Sequence, residues 1–212
     1  MAARTDIELK DDLDPDRFSR LAQMYEYVFE QYPTLPAFTA LGHTISYQEL
    51  ECLSDEFCAF LRAQKNLKPG DRIAIQLPNV LQFPIVAIGA TKAGLVLVNT
   101  NPLYTAREMK HQFIDSGAKA IVILVNFAEK LESILPETDI ETIITTEIGD
   151  ALPGLKRTVV NLGARYLKKM VPSYSLPTAI KWRSIVSGTQ NIAKQEAVDS
   201  GTDVAIILYT GG

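Results

Sequence analysis

The 212-residue chain is poor in the residues that build most catalytic and metal centres. It has two cysteines, Cys52 and Cys58, and two histidines, His43 and His111. Cysteines six apart make neither a disulfide framework nor a zinc-ligand spacing, and a reduced cytoplasmic protein is the simple reading. Cys58 shares a helical face with Ser54, Phe57 and Leu61 and reads as a small buried hydrophobe. The histidines are far apart in sequence, and a catalytic base needs a positioned partner. No apolar run approaches the ~20 residues that span a bilayer. The opening MAARTDIELKDDLDPD is acidic and lacks an apolar signal core. The common phosphate-loop, dinucleotide, zinc-protease and serine-hydrolase motifs are all missing. Acid is absent from one long stretch: residues 151–195 hold eight Lys or Arg and no Asp or Glu. All 25 acidic residues lie elsewhere, and the chain as a whole is acidic at −4. With no recognisable nucleic-acid module, that balance argues against nucleic acid as a partner.

What is present is alternation. Between Gly70 and Asn126, short apolar runs at Arg72–Leu77, Leu95–Asn99 and Ala120–Val125 enclose two helix-like segments. That spacing leaves room for crossover helices and predicts an α/β fold with a largely parallel sheet and helices on both faces. Residues 1–13 read as a flexible acidic arm. Asp14-Pro15 reads as a helix start, followed by apolar residues at helical spacing to Tyr32. A hairpin is expected around Gly42-His43. Ser46 is expected to cap a helix whose apolar face is Leu50, Leu53, Phe57 and Leu61. The next helix is apolar all round, so it belongs inside. Pro84 fits its first turn if it begins near Gln82, or kinks it otherwise. Gly89, Ala90 and Ala93 would bring it close to the sheet. Thr105 and Glu108 have capping-box spacing. The helix they open has an expected inner face of Met109, Phe113 and Ile114 and a stop at Gly117. Asn126 is expected to cap a further helix, and Glu141–Thr146 to form a strand. Residues 147–200 read as a basic connector with a short helix over 161–171. A buried strand over 203–209 then leads into Thr210-Gly211-Gly212.

Two regions invite a ligand. Glycines after a strand let backbone N–H groups close around anionic oxygens, although a plain turn has the same local pattern. The basic stretch reads as a solvated connector, as an anion site, or as an interfacial segment. In the last reading Arg165, Lys168, Lys169, Lys181 and Arg183 contact anionic lipid beside Leu162, Tyr166, Leu167 and Met170.

A set of short motifs in matching order resembles the adenylate-forming, acyl-activating superfamily. They are Lys68-Pro-Gly-Asp-Arg-Ile-Ala74, Leu77-Pro-Asn79, Lys92-Ala-Gly94, Asn99-Thr-Asn-Pro-Leu-Tyr-Thr105, Glu108, Asp115-Ser-Gly-Ala118 and Tyr209-Thr-Gly-Gly212. Asn101-Pro-Leu-Tyr-Thr105, Ala120–Ile123 with Asn126-Phe-Ala128, and Val159-Val-Asn161 through Leu176-Pro177 resemble its long-chain fatty-acid–CoA ligase branch. The resemblance covers nearly everything after residue 14. It implies ATP-dependent conversion of long-chain fatty acids to acyl-CoA through an acyl-adenylate, with ATP, Mg2+ and coenzyme A. It places Tyr209, Thr210, Gly211 and Gly212 at the opening of the phosphate loop, and it allows a homodimer and a cytoplasmic protein peripheral to the inner face of the cell membrane. It also implies an N-terminal fragment of the large domain, lacking the rest of the loop, the magnesium-binding Glu and the mobile domain with its catalytic Lys. No residue within 1–212 then has a catalytic role, and the piece alone is expected to be inactive. The rivals are an aryl- or shorter-chain acyl-CoA ligase, and a non-catalytic oligomerisation or membrane-docking module.

Overall fold

The computed structural model describes residues 17–188, 192–198 and 204–209. The expected arm at 1–13 and the helix start at Asp14-Pro15 lie outside these residues. The first helix, α1 (Leu21–Gln31), begins later than the sequence suggests. Ser19 sits just ahead of it, with both its N–H and its hydroxyl donating to Gln23 Oε1 at 3.1 and 3.0 Å. The hairpin follows as β1 (Pro36–Ala40) and β2 (His43–Ser46), antiparallel. Its turn is Leu41-Gly42, one residue earlier than expected, with both residues at positive φ (50° and 66°). That is the geometry of a tight type I′ hairpin.

α2 (Tyr47–Ala63) opens on the expected Ser46 cap, and Glu49 makes it a full capping box: Glu49 N–H donates to Ser46 Oγ at 3.2 Å, and Ser46 N–H to Glu49 Oε2 at 2.7 Å. β3 (Arg72–Gln76), α3 (Gln82–Lys92), β4 (Val96–Asn99), α4 (Ala106–Ser116), β5 (Ala118–Leu124), α5 (Ala128–Ile134) and β6 (Thr142–Thr146) follow in alternation. The chain continues through α6 (Gly154–Leu162), which runs into a wider π turn over Gly163–Leu167. Then come β7 (Ile180–Lys181), α7 (Trp182–Ile185) and β8 (Ile206–Ile207). The main sheet has the order β7-β6-β5-β3-β4-β8, and every neighbouring pair is parallel.

Alternation along the strands divides the core in two, because successive side chains leave a strand on opposite faces. Ile73, Ile75, Val122 and Ile144 pack under α2, α3 and α7. Ala74, Ile121, Ile123 and Ile143 pack under α4 and α5. Helices therefore cover both faces, as expected. α3 is buried nearly all round, with Pro84 in its first turn. Gly89 is needed for a different contact from the one expected. A Cβ there would stand 2.6 Å from the backbone oxygen of Ser54 and 3.0 Å from Phe57, so the close approach is to α2, not to the sheet. Alanine's helix propensity favours Gly89→Ala by ~1 kcal/mol, but a backbone oxygen cannot swing aside as a side chain can. Overpacking costs of ~1–3 kcal/mol should win. The expected result is a net fall in the urea midpoint; a rise would mean that α2 and α3 are free to separate.

Several local expectations are corrected. Ile114 is 52 % exposed, and α4 buries Met109, Gln112, Phe113 and Ser116 instead. Those four, at i, i+3, i+4 and i+7, lie on one stripe, and Ile114 falls ~100° past Phe113, beyond its edge. Asn126 caps nothing: it lies in a 3-10 turn, and α5 starts after Phe127 without a side-chain cap. The helix expected at 161–171 begins at Gly154, just after Pro153, and the supposed connector adds a strand, β7, to the sheet. The last strand is not buried. β8 has β4 as its one neighbour, and Val204, Ile206 and Leu208 are exposed because no described element covers that edge.

Asp71 closes the turn before β3. It accepts from Lys68 N–H at 3.0 Å and pairs with Lys119 Nζ at 2.9 Å. Burial alone would raise its carboxyl, but the Lys119 and Lys68 hydrogen bonds and the two ammonium charges outweigh it and hold the group below its usual value. A depressed folded-state pKa gives stability that is present above the unfolded value, about 4, and lost as pH falls through the folded one. Asp71→Asn should therefore be less stable than the wild type at pH 7, with the gap shrinking below about pH 4. A gap independent of pH would contradict this.

Candidate functional site

Because all strands of the main sheet are parallel, their carboxyl ends share one edge. In open α/β sheets ligands bind at that edge, in the crevice where the strand order reverses. Here the reversal falls at the centre: the chain goes from β3 to β4 on one side, then back past β3 to β5 on the other. Leu77-Pro-Asn79 leaves β3, and Asn99–Thr105 leaves β4 toward α4. The second segment is rigidly shaped. Asn101 Oδ1 accepts Leu103 N–H at 2.9 Å, Lys130 Nζ donates to Tyr104 O at 2.7 Å, and Thr105 with Glu108 completes a reciprocal capping box.

Under this edge lie three amides that sequence reasoning passed over. Gln76 ends β3, Asn99 ends β4, and Gln112 reaches the end of β4 from α4. Gln112 Nε2 donates to Asn99 O at 3.0 Å and Gln76 Nε2 to Asn101 O at 3.4 Å. Gln76 Oε1, Asn99 Oδ1 and Gln112 Oε1 are buried without a hydrogen-bond partner. Acceptors of this kind are normally met by ordered water or a ligand donor. The sequence signal is a polar residue ending each of two apolar strands, one position out of register: Ile75, not Gln76, pairs with Asn99, so the Gln76 and Asn99 side chains leave opposite faces of the sheet.

Of the four residues assigned to the phosphate loop, Thr210, Gly211 and Gly212 lie outside the described residues. Tyr209 follows β8, and its hydroxyl is 2.6 Å from Asp115 Oδ2 on α4. Burial, then the Asp115 hydrogen bond and charge, push the phenol up to about 12. Tyr209 thus remains a neutral donor to the Asp115 carboxylate at physiological pH.

The basic residues separate into two groups. Arg165 reaches back from the π turn to Glu147, forming an ion pair. With Lys181, Arg183, Tyr174, Thr145 and Asp150 it lines a cleft of about 420 Å3 at the carboxyl ends of β6 and β7. Asp150 accepts from Thr146 Oγ1, Glu147 N–H and Asn161 Nδ2. Burial raises its carboxyl further than these bonds lower it. Lys168 and Lys169 stand apart from this cleft, exposed beside Tyr166 and Leu167.

The thiols are not nucleophiles in waiting. Cys58 is buried, and burial pushes it up to about 11; Cys52 is raised by burial and by Glu56, Asp55 and Glu51. Among the described residues, no three His, Cys, Asp or Glu side chains gather as a donor set for Mg2+. No helix among them is long and apolar enough to cross a membrane.

Comparison with known proteins agrees with this geometry. Residues 25–212 match the AMP-binding enzyme family. A long-chain-fatty-acid–CoA ligase of Yersinia pestis is 42 % identical over 201 residues, covering 95 % of this chain and 36 % of the relative. Its counterpart in Escherichia coli O6:H1 is 42 % identical over 203 residues, again 95 % of this chain and 36 % of the relative. The chain thus spans about a third of the length of these relatives. Among solved structures, the apo MbtA protein of Mycobacterium smegmatis superposes with a TM-score of 0.68 at 20 % identity, covering 91 % of this chain and 31 % of that one. A long-chain-fatty-acid–CoA ligase of Archaeoglobus fulgidus gives 0.64 at 16 %, covering 90 % and 34 %. At such identities the superpositions speak for the fold alone. With a family match over residues 25–212 and the parallel α/β sheet those motifs organise, the chain belongs to the AMP-binding enzyme family.

Proposed function

We propose that this chain is the amino-terminal part of an enzyme that activates long-chain fatty acids. The observation that carries the reading is the 40–42 % identity to bacterial long-chain-fatty-acid–CoA ligases over 95 % of the chain. In the proposed reaction the fatty carboxylate attacks the α-phosphorus of ATP, the bond to the β,γ-diphosphate breaks, and acyl-adenylate and pyrophosphate result. The thiol of coenzyme A then attacks the acyl carbon, gives up its proton, and AMP leaves. Both steps build negative charge on phosphate oxygens, which backbone N–H groups can stabilise. Thr210, Gly211 and Gly212, with Tyr209 leading in, are the residues of this chain proposed for that task. Mg2+, when bound, would supply further charge neutralisation on the phosphates.

The carboxyl edge, with the rigid Asn99–Thr105 turn and the amide cluster beneath it, is proposed as supporting frame, not as the reacting centre. The 212 residues alone are proposed to be inactive. A cytoplasmic enzyme peripheral to the inner face of the membrane suits a substrate that partitions into lipid, and a homodimer is tested by solution mass. An aryl or shorter-chain acid is the rival substrate. A panel from acetate and benzoate to oleate, given to the product of the whole coding sequence, decides between them. Preference for oleate is expected, and preference for benzoate or acetate overturns the long-chain reading.

A further inference from the structure

The helix α6 is built inside out. Its inward side carries Asn161, which accepts from Gly149 N–H at 2.8 Å and donates to Asp150 at 3.0 Å, and Val160, which joins the core. Its outward side carries Leu155, Val159 and Leu162, and Tyr166 of the π turn continues the stripe, at 4–3–4 spacing. These residues are 77, 61, 51 and 69 % exposed. Leu167, in the π turn that ends the helix, is 87 % exposed. A solvated helix has the opposite polarity.

A second observation lies in the neighbouring hairpin. Lys156 Nζ donates to Gly42 O at 2.8 Å, fastening the β1–β2 turn to the amino end of α6. The other residue of that turn is Leu41, held at φ +50° and 46 % exposed. Type I′ turns select Asn, Asp or Gly at this place, because a branched side chain at positive φ is strained. A leucine there leaves nearly half of its surface in solvent and carries a conformational cost. Strain of this kind collects where a side chain serves something outside the fold.

Charge names the occupant. The segment from 151 to 195 has no acidic residue, and Lys168 and Lys169 flank the carboxyl end of the apolar stripe. An apolar stripe with cations at its margin is the pattern of a helix lying in the plane of an anionic lipid surface, its apolar side chains between the headgroups. We propose that the outer face of α6, with Leu41 at its rim and Lys168 and Lys169 beside it, docks on an anionic bilayer. This gives the peripheral membrane contact suggested above a named surface. It also removes Arg165, Lys181 and Arg183 from that contact, since they line the cleft described earlier.

The test is cosedimentation of the intact protein with vesicles of equimolar phosphatidylcholine and phosphatidylglycerol, against phosphatidylcholine alone. Binding to the anionic vesicles is expected, weakening with salt. The pair Leu155→Asp with Val159→Asp should lower it about tenfold or more, and Lys168→Glu with Lys169→Glu by a similar factor. Leu41→Asn is the most discriminating variant. It relieves the turn, so the melting temperature should hold or rise while vesicle binding falls about tenfold. Equal binding to both vesicle types, or full binding by these variants, overturns the proposal. So does a large drop in melting temperature for the Leu155/Val159 pair, which would mean another part of the protein covers the stripe. A dimer that this pair dissolves would assign the face to a second copy instead. The assay contains no nucleotide or coenzyme A, so its outcome stands whether or not acyl-CoA is made.

Discussion

Asp55→Ala is expected to cost about 3–5 kcal/mol of folding stability, among the largest effects of any single substitution in this chain. Asp55 on α2 meets Lys92 at the end of α3, Oδ1 to Nζ, at 2.7 Å. The lysine side chain is wholly buried and the aspartate 7 % exposed. Phe29 of α1 closes the site, its ring centroid 5.2 Å from the ammonium. Three helices therefore converge on one charge pair, and Lys92 O also accepts from Arg62 Nη2 at 2.8 Å. Removing the carboxylate strands an ammonium where water does not reach, and that desolvation, more than lost attraction, sets the magnitude. The same reasoning makes the pair itself dispensable. Asp55→Leu with Lys92→Met replaces two charges by apolar groups of similar size and should recover most of the loss. Urea denaturation of the single and double variants gives the comparison. If Asp55→Ala costs less than about 1 kcal/mol, the pair is behaving like an exposed one and the helices do not seal it.

Trp182→Ala should cost about 3–5 kcal/mol as well, by leaving a cavity. Trp182 begins α7, is 1 % exposed, and lies 5.4 Å from the Phe57 ring between centroids. Phe57 is fully buried and also touches the Gly89 contact where α2 and α3 meet. The tryptophan is thus the peg that fastens the basic segment to the core. Its loss should release β7 from the edge of the sheet before the sheet itself fails. Trp182→Phe keeps much of the volume and should cost markedly less. As the single tryptophan, Trp182 also reports on its own burial through wild-type fluorescence. A loss below about 1 kcal/mol for Trp182→Ala would show that the segment packs loosely. Because Phe57 and Asp55 share α2, the two large effects are expected to couple and not to add.

The residues that made the fold legible are those whose local chemistry fixes geometry without help from distant parts. Ser46 with Glu49 and Thr105 with Glu108 announce helix starts, Gly117 a stop at φ 61°, and the apolar runs of β3, β5 and β6 a buried parallel sheet. What stayed hidden depends on tertiary neighbours. β7 is two residues long and exists through its pairing with Ile144 and Thr145. Gly89 could not disclose whether it faced a sheet or a helix. Ile114 reads as inward because it is isoleucine, although the stripe of α4 passes through Gln112 and Ser116. The site was less legible still. Its motifs pointed to a family, yet the amides at Gln76, Asn99 and Gln112 carry no signature of their own. Arg165 read as a surface cation because its partner Glu147 lies 18 residues earlier, at the end of a strand.

The central claim is that these residues frame a long-chain acyl-activating enzyme whose chemistry also requires sequence that the relatives carry beyond the matched third. Pyrophosphate release from ATP, with oleate and coenzyme A present, tests it most directly. The product of the whole coding sequence should release pyrophosphate in an oleate-dependent manner and form oleoyl-CoA, while the purified 212-residue chain releases none above background. Oleate-dependent release by the 212-residue chain itself, or none by the whole product, would contradict the account.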